Sequence, residues 1–142
     1  RFQRLLNFGA KDIDQAIVEF TELSLDEAKV RKQEIHDISQ YSIDESMESR
    51  IARAIQSVLD QWLDEITKIF RYYSSRSNNS EQIDQIYLYG GISKINGIEA
   101  YVQNRFNLPV ERVKDISSVS LNKNGQHELA EVLNALGVMY RR

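Results

Sequence analysis

Ile86-Tyr87-Leu88-Tyr89-Gly90-Gly91-Ile92-Ser93-Lys94-Ile95-Asn96-Gly97-Ile98-Glu99 is the stretch on which the reading of this chain turns. An apolar run of β type stops at two adjacent glycines, and a helical pattern starts a few residues later. Glycine has no Cβ, so a strand that ends in Gly-Gly lets another group come close to the backbone. Three readings follow from the spacing. The first is a tight strand-to-helix turn with nothing bound. The second, a dinucleotide fingerprint, needs G-x-G-x-x-G and fails, because the glycines here are adjacent and then six apart. The third is a nucleotide cradle of another design, which the rest of the chain has to weigh.

Outward from this stretch, the 142 residues are one domain's worth of chain. A chain of that size buries about 68–70% of its unfolded surface. Charged residues make up 27% and the net charge is −3, which argues against an electrostatically driven nucleic-acid partner. With no Cys and only His36 and His127, thiolate sites are excluded and a His-based metal site is disfavoured. No run reaches the ~18 apolar residues of a membrane span, and no signal-peptide pattern opens the chain. A reducing, cytoplasmic setting fits this composition. The chain begins at Arg1, without Met, inside what reads as a strand, so it reads as a piece of something larger.

Residues 1–8 alternate loosely and suit a strand that Gly9 ends. From Asp12 to Phe20 the pattern is helical, with Ile13, Ala16, Ile17 and Phe20 expected on the inner face. Ser24-Leu25-Asp26-Glu27 is a capping box that opens a second helix over 25–36. That helix is polar on most sides, with a narrow stripe of Leu25, Ala28 and Ile35, and it is expected at the rim of the domain. A second capping box, Ser42-Ile43-Asp44-Glu45, precedes the longest element. There Met47, Ile51, Ile55, Val58, Leu59, Trp62, Leu63, Ile66 and Phe70 keep steps of three and four. The spacing predicts an amphipathic helix of about 30 residues, ~45 Å long, packed on a sheet rather than forming a coiled-coil seam. Trp62 is its core anchor, and the polar run 74–80 closes it. After the glycine turn come a helix over 97–106, a brief strand at Asn107-Leu108-Pro109-Val110 that Pro109 restricts, a loop over 114–126, and a last helix over 127–140. Helices alternating with isolated strands give an α/β class.

In this order and spacing the chain resembles the C-terminal part of the PilM family, the cytoplasmic actin-like proteins of type IV pilus assembly, relatives of FtsA, MreB and the heat-shock chaperones. The residues that carry the resemblance are Gly90-Gly91 through Gly97-Ile98, which match the adenosine motif, Asn107-Leu108-Pro109-Val110, and Asn134-Ala135-Leu136-Gly137-Val138. Upstream, Leu23-Ser24-Leu25-Asp26-Glu27-Ala28 through Lys32 is similar to the family's Leu-Ser-x-x-Glu-Ala-Glu-x-x-Lys, and Arg1 to Ile17 resembles the strand and helix after its second phosphate hairpin.

The resemblance implies an incomplete actin-like (ribonuclease H-like) domain II. Residues 1–20 and 44–142 would form the sheet-and-helix subdomain, and 21–43 a small rim segment. It implies ATP, with Mg²⁺ in the parent protein, held by Gly90, Gly91, Ile92 and Ser93 and faced by Lys29 and Lys32. The family's two phosphate-binding hairpins would precede Arg1, so the chain alone is not expected to hydrolyse ATP. The implied partner is the short cytoplasmic tail of an inner-membrane pilus protein, at the inner face of the bacterial membrane. Strands missing from the sheet would come from the absent N-terminal half or from a second copy of the chain.

Two alternatives stand beside this expectation: an FtsA-like cell-division protein, and a helical interaction module whose 44–73 helix is the functional surface. An actin-fold sugar kinase ranks below both.

Overall fold

The computed structural model describes residues 9–41, 44–76, 83 and 85–113. The strand expected over 1–8, the loop over 114–126 and the helix over 127–140 lie outside the described residues, as do Ser42 and Ile43 of the second capping box.

Helix α1 spans Ala10–Thr21. Its first turn is closed by Asp12, whose carboxylate accepts from the Gly9 N–H at 2.9 Å while the Asp12 N–H donates back to the Gly9 carbonyl. The inner face carries Ile13, Asp14, Ile17 and Thr21. This corrects the expected stripe: Phe20 is 49% exposed, and the place of Phe20 is taken by Thr21, whose hydroxyl donates to the Ile17 carbonyl at 2.5 Å. Asp14 lies buried on this face, where it meets a lysine of the next helix, as described below.

Helix α2, Leu25–Glu34, starts at Ser24 with the expected capping box: Ser24 Oγ accepts from the Glu27 N–H, and Glu27 accepts from the Ser24 N–H. Among its ten residues Ala28 is buried. Leu25, expected on the inner stripe, is 48% exposed, so the stripe is narrower than the sequence suggests.

Helix α3, Met47–Arg76, has the 30 residues the periodicity predicts, set three residues later than the expected 44–73. Ile51, Ile55, Leu59, Trp62, Leu63 and Ile66 are buried in the core. At its start Ser46 Oγ accepts from the Ser49 N–H at 3.1 Å, as an N-cap does, and Asp44 accepts from the Ser46 N–H at 2.9 Å. The helix also continues through Ser74 and Ser75, which are expected in the closing loop; the Ser75 hydroxyl donates back to the Tyr72 carbonyl.

Strand β1, Ile86–Leu88, pairs in parallel with β2, Val110–Arg112, in the register Ile86↔Val110. The crossover between them holds a 3₁₀ turn at Ile92–Lys94 and helix α4, Ile98–Phe106. Pro109 stands just before β2, where its missing N–H costs nothing, and its carbonyl accepts from the Ile86 N–H. The described residues are therefore mostly helical, with one small two-stranded parallel sheet. The core lies among α1, α3, β1 and α4. On its outer side α4 is tied to α3 by Tyr101 Oη donating to Asp60 at 2.8 Å, by the Arg105–Asp64 ion pair, and by a Phe70–Phe106 ring contact at 5.1 Å.

Candidate functional site

The turn after β1 is where the parallel sheet presents the carboxyl end of a strand, the end at which open α/β sheets take ligands. Gly90 has φ +82°, a left-handed conformation that L side chains rarely adopt, and Gly91 has φ −62° and ψ −37°. A Cβ built on either glycine meets nothing within 4 Å. Among the described residues no group uses the close approach that Gly-Gly allows there, and both glycines are exposed.

The turn is held from beneath. Ile92 and Ile95 are buried in the core. Ser93 is buried as well, and its hydroxyl donates to the Gly90 carbonyl at 2.7 Å, while the Lys94 N–H donates to the Gly91 carbonyl at 3.2 Å. Of the four residues expected at this turn, Gly90 and Gly91 therefore face outward, and Ile92 and Ser93 brace the turn from inside.

Close approach of backbone occurs six residues later, at Gly97. Its φ is +81°, and a Cβ there would overlap the Asp37 carboxylate and lie 2.9 Å from the Ile38 nitrogen. The segment after α2 is stapled at this point. The Ile38 N–H donates to the Asn96 carbonyl at 2.9 Å, Asn96 Nδ2 donates to the Ile35 carbonyl at 3.1 Å, and Gln56 Nε2 of α3 donates to the Ile38 carbonyl at 2.9 Å. Asp37 accepts from the Ser39 hydroxyl and N–H, which hold its carboxyl below the usual range. The staple brings the end of α2 to the end of the glycine turn. Sequence reasoning read Asn96-Gly97 only as part of the motif; the dipeptide is itself a turn signal that could have marked the docking point.

The two lysines take separate places. Lys32 forms an ion pair with Asp14 of α1, with 15% and 9% of the two side chains exposed. Lys29 lies 3.5 Å from Asp26 on its own helix and is half exposed. Sequence reasoning missed Asp14; its signal is a carboxylate beside Ile13 and Ile17 on the inner side of α1.

An open cleft of about 350 Å³ lies elsewhere, between the end of α2 and the start of α3, lined by Arg31, Glu34, Ile35, Ser46, Met47, Glu48 and Ile51. None of the six expected site residues lines it. Among the described residues no group of three His, Asp or Glu could hold a metal ion, and no helix is long and apolar enough to cross a membrane.

This arrangement of helices around a small parallel sheet is similar to that of a solved PilM-PilN type IV pilus biogenesis complex, with a TM-score of 0.61 and 22% identity. The likeness covers 91% of this chain and 33% of the solved one, so the chain spans about a third of that relative's length. No curated protein matches the chain. The model of the family "Type IV pilus assembly protein PilM" matches residues 1–139, and the chain belongs to that family.

Proposed function

We propose that the chain is the nucleotide-binding part of an actin-like pilus assembly protein, corresponding to its domain II, that holds ATP and acts through protein contacts rather than substrate turnover. The observation that supports this reading is the Gly90-Gly91 turn at the carboxyl end of β1, exposed and, among the described residues, with no atom within 4 Å of where side chains would be. A left-handed residue followed by a right-handed one aims successive backbone N–H groups into one concavity, which suits an anion such as a phosphate. In this reading Lys29, half exposed on α2, is the cation assigned to the phosphate; Lys32 can take that role only by leaving Asp14. Mg²⁺ would accompany the nucleotide in the intact protein, where it neutralises phosphate charge; none of the described residues is assigned to it. No catalytic role is assigned to any described residue.

The partner that fits this reading is the cytoplasmic tail of a membrane-anchored pilus protein of the PilN kind, met at the inner face of the membrane. The support is family membership and the solved relative, which is a PilM-PilN complex. An interaction surface on the stripe of α3 has less support, because Val58 and Leu59 are buried.

Gly91→Leu tests the nucleotide reading cleanly. Gly91 has ordinary helical angles and open space at its Cβ, so leucine fits the fold while filling the concavity. In the full-length protein, titration with Mg-ATP should show saturable binding that weakens about tenfold or more in the variant, roughly the loss of one good contact, with the unfolding midpoint unchanged. Absent binding in the wild type, or equal affinity in the variant, would sink the proposal.

A further inference from the structure

Helix α2 is attached to the molecule in an unusual way. Its largest apolar side chains, Leu25 and Val30, face solvent, and Ala28 is its buried residue. Its capping box is internal to the helix, and the Lys29–Asp26 and Arg31–Glu34 pairs also stay within it. Among the described residues the ion pair that crosses from α2 to α1 is Lys32–Asp14, two nearly enclosed charges. Breaking such a pair from one side leaves an uncompensated charge in a poorly hydrated place.

The two ends of α2 differ. On the N-terminal side the chain enters through Glu22, a non-glycine residue at φ +62°. On the C-terminal side residues 35–38 are bonded to Asn96 and to Gln56 and seated against Gly97. Beside that end lies the 350 Å³ cleft, which separates Arg31, Glu34 and Ile35 from the first turn of α3 and leaves room for movement.

We infer that α2 is a hinged flap, latched shut by Lys32–Asp14 and pivoting on residues 35–38 where they are stapled to the Asn96-Gly97 turn. A small apolar contact and one ion pair cannot hold ten residues as firmly as the core holds α3, so α2 opens as a unit while the core stays folded. Opening releases the Lys32 amine toward solvent, and the fixed pivot keeps the end of α2 beside the glycine turn. The flap needs no bound nucleotide, so its failure and that of the nucleotide reading are separate results.

Hydrogen exchange followed by mass spectrometry on the full-length protein tests the flap. In the wild type, amides of 25–34 should exchange at least about tenfold faster than those of 51–66, as expected for sub-global opening. Asp14→Asn should speed exchange in 25–34 by a further factor on the order of ten and leave 51–66 unchanged. Equal protection of α2 and α3 in the wild type overturns the flap. So does an Asp14→Asn variant in which 25–34 is unaffected, or in which α1 and α3 speed up as much as α2.

Discussion

Three glycines show how position decides what the same residue does. Gly97 combines a left-handed φ with a Cβ position already filled by Asp37 and Ile38; Gly90 has the φ without the crowding; Gly91 has neither. Replacement by alanine should therefore be graded. Gly97→Ala is expected to cost roughly 2 kcal/mol or more, Gly90→Ala about 1 kcal/mol, and Gly91→Ala close to nothing. Urea unfolding of the three variants checks the order, and a Gly91 cost equal to that of Gly97 would contradict the assigned geometry. The sequence flagged all three by spacing alone. It could not rank them, because a φ angle and a filled neighbouring space belong to the folded backbone. Lys32 teaches the same point: its type suits a phosphate, but its partner, Asp14, is eighteen residues away in sequence and adjacent only after α1 and α2 pack.

Among the elements, α3 was the most legible. Steps of three and four over so long a run, without Pro or Gly, have one good solution in water, a helix with a buried stripe. Val58→Arg with Leu59→Arg should destroy the cooperative unfolding transition, since two charges would enter the core beside Trp62. Circular dichroism settles it: a variant that keeps its fold but loses association would mark the stripe as an interface instead. The ends of α3 were less legible than its middle. Ser46, whose hydroxyl reaches the orphan Ser49 N–H, caps the first turn, and a cap of this kind depends on the path of the entering chain.

For α2 the capping box was readable as a four-residue motif, and it carries a pH dependence. The Ser24 hydroxyl and N–H donate to Glu27 and hold its carboxyl below the ordinary range. A depressed folded-state pKa contributes stability that is present above the unfolded value and lost as pH falls through the folded one. The start of α2 should thus loosen on acidification below the ordinary glutamate range, with no change between neutral pH and about pH 6. The Ser24 amide shift in an NMR titration reads this directly.

Over the whole molecule, stability is set by the apolar layer along α3 rather than by the polar links at its edge. Trp62→Ala should cost about 3–5 kcal/mol. Arg105→Ala, which removes the exposed Arg105–Asp64 pair, should cost about 1 kcal/mol or less, because solvent screens such pairs. Denaturant midpoints of the two variants should differ widely; similar values would mean that α4 contributes more through its charges than its exposure suggests. Burial and the Asp60 acceptor push the Tyr101 phenol far up, so it stays protonated across the physiological range and continues to donate.

The sequence by itself determined where the helices of the described residues would form to within a few residues, which face of α3 would be buried, that the chain turns at Gly90-Gly91, and a resemblance to the PilM family that the family match bears out. These are local or periodic properties, written in the order of side chains along the chain. Only the tertiary structure decided that β1 and β2 run parallel, that Asp14 is buried on the inner face of α1 against Lys32, that Ile92 and Ser93 brace the turn from within, and that Gly97 is where two segments meet. Each of these depends on groups far apart in sequence, whose pairing is selected by the geometry of packing and by the need to satisfy buried charges and hydrogen bonds.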